Sequence, residues 1–231
     1  MSSGGEYLTL DDMQRQESEQ KRLLAMPEPP ADMAGHLAWC VVHYPNHPRF
    51  REVSGLWPKF PRWPRLATPE DRKAAMKPAL ATAAEAWDGS GLLLLGPTGA
   101  GKTTAVVHAA ECLIRRSIEQ KKLPPAIRYT KATTLNAARR QHALGQGEAP
   151  EITRAIGAQV LVIDDLGQEK AADDVWYTIL DARYEADRAT VVTSGFPLPA
   201  LHERYGEHLV RRVVEAGDSA GRIVTAFPKT A

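Results

Sequence analysis

The sequence predicts an α/β fold, a parallel sheet flanked by helices, preceded by an irregular extension rich in proline and tryptophan. Three observations predict it. From about residue 86 onward, short apolar runs alternate with helix-length stretches, the pattern of a parallel sheet covered on both faces. A glycine-rich turn joins the first of these runs to the first of these helices, and the third run ends in two adjacent carboxylates. With 231 residues, 43% of them hydrophobic and 25% charged, the chain can bury a core, and its composition excludes wholesale disorder.

The elements follow in order. Residues 1–85 read as an N-terminal extension, a partner-binding arm, and residues 86–231 as the folded domain. Within the arm, Asp11–Met26 reads as an exposed helix or a flexible segment, its apolar positions Met13, Leu23 and Leu24 too sparse for a core-facing stripe. Residues 31–67 hold Pro45, Pro48, Pro58, Pro61 and Pro64, which exclude a regular element there. Thr68-Pro69-Glu70-Asp71 reads as a helix start, with a hydroxyl cap and proline at the first helical position. That helix is expected to kink at Pro78 and end near Asp88-Gly89. Strand Leu92–Leu95 leads into a helix from Lys102 to about Ile118. Ile127–Thr130 reads as a strand, Thr133–Ala143 as a helix, Gly145–Pro150 as loop and Gln159–Ile163 as a buried strand. A helix over Ala172–Asp187 puts Val175, Trp176, Ile179, Leu180 and Tyr184 on one face. Thr190–Thr193 is a fourth strand. Helical pieces at Pro199–Tyr205 and His208–Glu215 precede a last strand within Arg222–Phe227.

Lys+Arg is 29 and Asp+Glu is 28, so any affinity for nucleic acid requires a local patch. No apolar run approaches the roughly 20 residues that span a bilayer, and no secretory signal opens the chain, so no membrane partner is expected. Two cysteines, Cys40 and Cys112, exclude a disulfide framework and imply a reduced, cytoplasmic protein.

Gly96-Pro97-Thr98-Gly99-Ala100-Gly101-Lys102-Thr103 satisfies the phosphate-loop pattern G-x-x-x-x-G-K-[ST], with Thr104 next in the helix. The glycines let the backbone present successive N–H groups to phosphate oxygens, and the following helix adds its positive end. Lys102 can reach the β- and γ-phosphates of ATP, and the Thr103 hydroxyl can ligate Mg²⁺. Val160–Ile163 runs into Asp164 and Asp165. In an open parallel sheet these carboxylates lie at the ligand-binding edge beside the phosphate loop. Asp164 is then the Mg²⁺-side carboxylate, and Asp165 orients or deprotonates the attacking water. The plainer alternative is that one or both acids merely cap the next turn, with Gly167 closing it.

A transporter-type LSGGQ signature and a guanine-reading N-K-x-D motif are both missing. The runs VLVIDDLGQEK, ILDARYEADRATVVTSGFPLPAL and GEHLVRRVVEAG resemble the DnaC/DnaI helicase loaders and the IstB transposition helpers, a group of AAA+ ATPases, over roughly Trp87 to Phe227. The resemblance implies a P-loop NTPase sheet of AAA+ type, an ATPase that assembles as an ATP-dependent homo-oligomer, and one of two partners for the arm. A replicative helicase, loaded onto single-stranded DNA, is the first. A transposase, met on duplex DNA, is the second, and a nucleotide-dependent interaction module with negligible hydrolysis is a third reading. The resemblance also pairs Arg183-Tyr184 with the family's R-Y, and Thr193-Ser194 with the strand end that senses the γ-phosphate. Where the family has asparagine, this chain has Gly195, so hydrolysis is expected to be slow, with Ser194 or Thr193 substituting. Arg212, beside Arg211, matches the arginine that reaches a neighbouring subunit's nucleotide, against the plainer reading of two solvated arginines. Arg222 is weighed as a second phosphate-facing cation.

Other patterns carry two readings each. His36, Cys40, His43 and His47 invite zinc, but lie along one helical stripe that also suits packing. Trp57–Arg65 interleaves aromatic rings with cations and suits either unpaired bases or docking on protein. Arg115, Arg116, Lys121 and Lys122 lie where charge favours a helix C-terminus. Arg139 and Arg140 lie on the helix after the second strand, in a region that by the resemblance faces DNA, which makes them candidate phosphate contacts.

Overall fold

The computed structural model describes residues 69–120, 125, 127–143, 145–169, 174–215 and 221–227. The arm up to residue 68, with the 36–47 histidine/cysteine cluster and the Trp57–Arg65 segment, lies outside them, as does the Thr68 cap.

Proline sets the first helices. α1 (Pro69–Ala74) and α2 (Pro78–Ala86) are separate, where one kinked helix was expected. Lys77, held extended ahead of Pro78 at φ −64° and ψ 143°, breaks the chain there, and Pro78 opens the new helix. The sheet follows. Its strands are β1 (Leu92–Leu95), β2 (Ile127–Lys131), β3 (Val160–Leu166), β4 (Thr190–Ser194) and β5 (Arg222–Thr225), in the order β2-β3-β4-β1-β5. All four pairings are parallel. The remaining helices are α3 (Lys102–Glu119), α4 (Ala132–Gln141), α5 (Pro150–Gly157), α6 (Val175–Glu185), α7 (Leu198–Tyr205) and α8 (Glu207–Glu215).

Side-chain alternation divides the core into two layers. Leu92, Leu94, Val160, Val162 and Val191 face α2 and α3, where Leu80, Ala84, Val106 and Ala110 close the first layer. Leu93, Leu95, Leu161, Ile163 and Val192 face the other side, closed by Leu135, Ile152, Trp176, Ile179, Leu201 and Val213. The leucines of β1 are at most 1% exposed, so shortening one to alanine costs about 2–5 kcal/mol. Among the described residues no helix is long and apolar enough to cross a membrane.

The sequence reading misses α5, placing only loop before β3. It also ends β3 at Ile163, whereas the strand runs on through both aspartates to Leu166. Arg183 on α6 is fully buried and ties these parts together. It donates to the carbonyls of Ala155 (2.9 Å), Ile156 (3.2 Å) and Ala158 (2.7 Å) at the end of α5. It also donates to Thr190 Oγ1 (2.9 Å) and to the Ala189 carbonyl, at the start of β4. Its partner in the R-Y pair, Tyr184, is exposed.

Candidate nucleotide site

The carboxyl edge of β1, β3 and β4 gathers the predicted residues. β1 delivers the chain into Gly96, whose N–H donates to the Ser194 carbonyl at 3.2 Å. The loop then turns through Gly99 at φ 83° and Gly101 at φ 89°, and α3 begins at Lys102. Gly101 cannot be replaced without movement: a Cβ there would lie 2.5 Å from the Ala75 carbonyl oxygen and 2.8 Å from Met76 Cα. Lys77 N–H donates to the Ala100 carbonyl at 3.1 Å, so the α1–α2 elbow backs the loop directly. On the other side Pro97, Thr98 and Gly99 are exposed, and nothing lies within 4 Å of a Cβ built on Gly99. Lys102 is 7% exposed, its ammonium donating to the carbonyls of Gly96 (2.8 Å) and Pro97 (3.1 Å). Burial pulls its pKa down, while the charges of Asp165 and Asp164 act in the opposite direction.

A bulge shapes the acidic pair. Ile163 pairs with Val192 and Leu166 with Ser194, so Asp164 and Asp165 together oppose the single residue Thr193. The extra residue puts Asp165 in the left-handed region at φ 59°, and such bulges re-aim side chains at active sites. Asp164, 2% exposed, points under the loop and accepts three hydroxyls. Thr103 Oγ1 donates at 3.0–3.1 Å, Tyr129 from β2 at 2.6 Å and Thr193 from β4 at 2.5 Å. Asp165 stays partly exposed, and its N–H donates to Thr193 Oγ1 at 2.9 Å. Burial, then the charge of Asp164, raises its pKa; Lys102 and Lys131 pull the other way. Tyr129 is held as a neutral donor, burial and then Asp164 pushing its phenol far above the usual range.

The residues present fit a magnesium nucleotide. A hydroxyl and a carboxylate supply the oxygen donors that a hard divalent cation takes, beneath a loop with room on its outer side.

Ser194 does not join them. Its hydroxyl donates to the Leu166 carbonyl (2.6 Å) and accepts from Phe196 N–H (3.1 Å), so of the two β4 hydroxyls it is that of Thr193 that reaches the acidic pair. Arg222 is a correction. It pairs with Leu92 at the entry end of β1, the opposite end of the sheet from the phosphate loop, and cannot face the nucleotide. Arg212, partly exposed on α8, pairs with Asp181 of α6, and Arg211 pairs with Glu215 at 3.1 Å. Arg139 pairs with Glu148 and lies 4.0 Å from Asp174, whereas Arg140 is exposed. Arg116 donates to the carbonyls of Trp87 and, at 3.4 Å, Cys112. Tyr129 went unread in the sequence, because only the register of β2 on β3 brings it to Asp164.

Residues 70–214 match the family described as IstB-like ATP binding protein. No curated protein matches the chain. Among solved structures, the DnaC helicase loader is 19% identical, with 78% of this chain and 99% of that one covered and a TM-score of 0.48. DnaI is 21% identical, with 74% and 89% covered and a TM-score of 0.44. AMPPCP-bound DnaA from Aquifex aeolicus is 18% identical, with 71% and 50% covered and a TM-score of 0.45. With a matched segment that runs from the α1 helix through the phosphate loop and the acidic strand into α8, the chain belongs to the IstB-like ATP-binding family.

Proposed function

We propose that the chain is a slow, Mg²⁺-dependent ATPase that loads a replicative helicase onto single-stranded DNA, working as an ATP-dependent homo-oligomer. The observation that supports it best is the set formed by Lys102, Thr103, Asp164 and Asp165 at one edge of the sheet. Magnesium-bound ATP, when present, supplies an electrophilic phosphorus and a divalent charge that shields its oxygens. The Gly96–Thr104 segment holds the phosphates, with the Lys102 ammonium for the β- and γ-oxygens. Thr103 and Asp164 hold the metal. Asp165, partly exposed beside Lys102, orients the attacking water and accepts its proton. Thr193 fixes the Asp164–Asp165 bulge through its two hydrogen bonds. Arg212 completes the site of a neighbouring copy.

A second reading, an ATPase that helps a transposase on duplex DNA, is favoured by the family match over residues 70–214. A binding experiment separates the two. The full chain, immobilised with ATP or ADP, is offered purified replicative helicase and purified transposase from the same cell. ATP-dependent retention of the helicase supports loading; retention of the transposase alone replaces it with the second reading. Turnover indistinguishable from buffer in the presence of either partner and DNA would leave an interaction module without hydrolysis.

A further inference from the structure

We propose that Gln168 is a further residue of the nucleotide site: its side-chain amide fills the place that Gly195 leaves empty at the carboxyl end of β4, and donates to the γ-phosphate end of a bound nucleoside triphosphate. The proposal rests on the nucleotide-binding reading above and deepens it.

Gly195 directly follows β4, beside β1 and β3, at the ligand-binding edge of the sheet. A Cβ built on it has one heavy atom within 4 Å beyond its chain neighbours, Gln168 Nε2 at 3.7 Å. The vacancy is therefore faced by an amide from the loop after β3. The polar groups nearest in sequence are engaged elsewhere: Ser194 with the Leu166 carbonyl and Phe196 N–H, Thr193 with Asp164 and Asp165.

The backbone carrying Gln168 is fixed while its side chain is free to meet a ligand. Gly167 adopts φ 104°, and a Cβ there would lie 2.4 Å from the Phe196 ring, so the loops after β3 and β4 pack as closely as glycine allows. Gln168 N–H donates to the Asp165 carbonyl at 3.2 Å, closing the turn immediately after the acidic pair. Next to it, buried Glu169 accepts from Gly167 N–H at 2.9 Å and from the Tyr205 hydroxyl, and its carbonyl accepts from Arg204 at 2.7 Å. The Gln168 side chain is exposed. A primary amide offers two N–H donors without adding charge, which suits a phosphate oxygen already opposed by an ammonium and a metal.

The test reads binding of the full chain, with Mg²⁺, to a non-hydrolysable ATP analogue and to ADP. The Gln168→Ala protein is expected to bind the triphosphate roughly ten- to a hundredfold more weakly, the loss of one hydrogen bond to a charged group, with ADP affinity unchanged. Its thermal midpoint without nucleotide should equal the parent's. Adding Gly195→Asn to Gln168→Ala is expected to restore the preference for triphosphate, because the new amide grows into the same space. A Gln168→Ala protein that keeps the parent's ratio of triphosphate to ADP affinity, or loses both affinities equally, overturns the proposal while nucleotide binding stands. A parent protein that binds neither nucleotide overturns the site reading itself, and this inference with it.

Discussion

Asp164 is buried beneath the phosphate loop, and its carboxylate has hydroxyls from three different elements to satisfy it: α3, β2 and β4. Removing one leaves a buried charged acceptor short of a donor. Tyr129→Phe should therefore lower the stability of the nucleotide-free protein by about 1–3 kcal/mol, read as a shifted urea midpoint. Lys102 is different, because its ammonium serves loop carbonyls rather than core packing. Lys102→Ala should abolish ATP binding and leave the helical circular dichroism intact; unchanged affinity by calorimetry in the folded variant would refute the site assignment. Lys102, Thr103, Asp164 and Asp165 were legible in the sequence because each sits in a contiguous motif. Tyr129 was not. Its partner Asp164 lies 35 residues away, and strand pairing alone brings the two together.

At the scale of elements, β1, α3 and β3 could be read because a short apolar run or a long amphipathic stretch fixed each. α5 could not. It has eight residues, buries Ile152 and Ala155, and follows a glycine-rich loop, so its periodicity is too short to register. Arg183 supplies what the short helix lacks, binding its last carbonyls. Arg183→Met should destabilise the fold by about 3 kcal/mol or more, as buried carbonyls lose their donor, with a reduced thermal midpoint as the readout. The loop after β3 carries a pH signature of its own. Burial raises the pKa of Glu169, with hydrogen bonds from its own N–H and that of Gly167 and the charge of Arg204 acting against the shift. Between the ordinary glutamate value and the raised one, the folded chain keeps a proton that the unfolded chain has released. That contribution is full below the ordinary value and falls away as pH rises through the raised one. Glu169→Gln should flatten this decline in melting temperature above about pH 4.5; an unaltered pH profile would show that Glu169 titrates normally.

For the whole molecule, the proposed assembly requires that one copy complete the site of the next. The outer side of the phosphate loop is open at Pro97–Gly99, and no arginine of the described residues donates to it. Arg212 lies on α8, which packs on α6 and β1, and its guanidinium is held by Asp181. A partly exposed pair of this kind is worth at most about 1 kcal/mol, so exchanging Asp181 for a neighbour's γ-phosphate is favourable on charge alone. The expectation is that Arg212→Ala binds ATP normally as a monomer but neither assembles nor turns over with ATP and DNA, a loss of roughly a thousandfold or more in rate. Mixed with Lys102→Ala, it should recover part of the activity, since one protein supplies an intact phosphate loop and the other an intact arginine at the shared interface. Asp181→Asn should move the opposite way, assembling at lower ATP because Arg212 is released in advance. Light scattering and ATPase assays on the single proteins and the mixture read all three. If Arg212→Ala assembles and hydrolyses like the parent, the Arg212–Asp181 pair only ties α8 to α6, and Arg211 on the same helix becomes the residue to exchange.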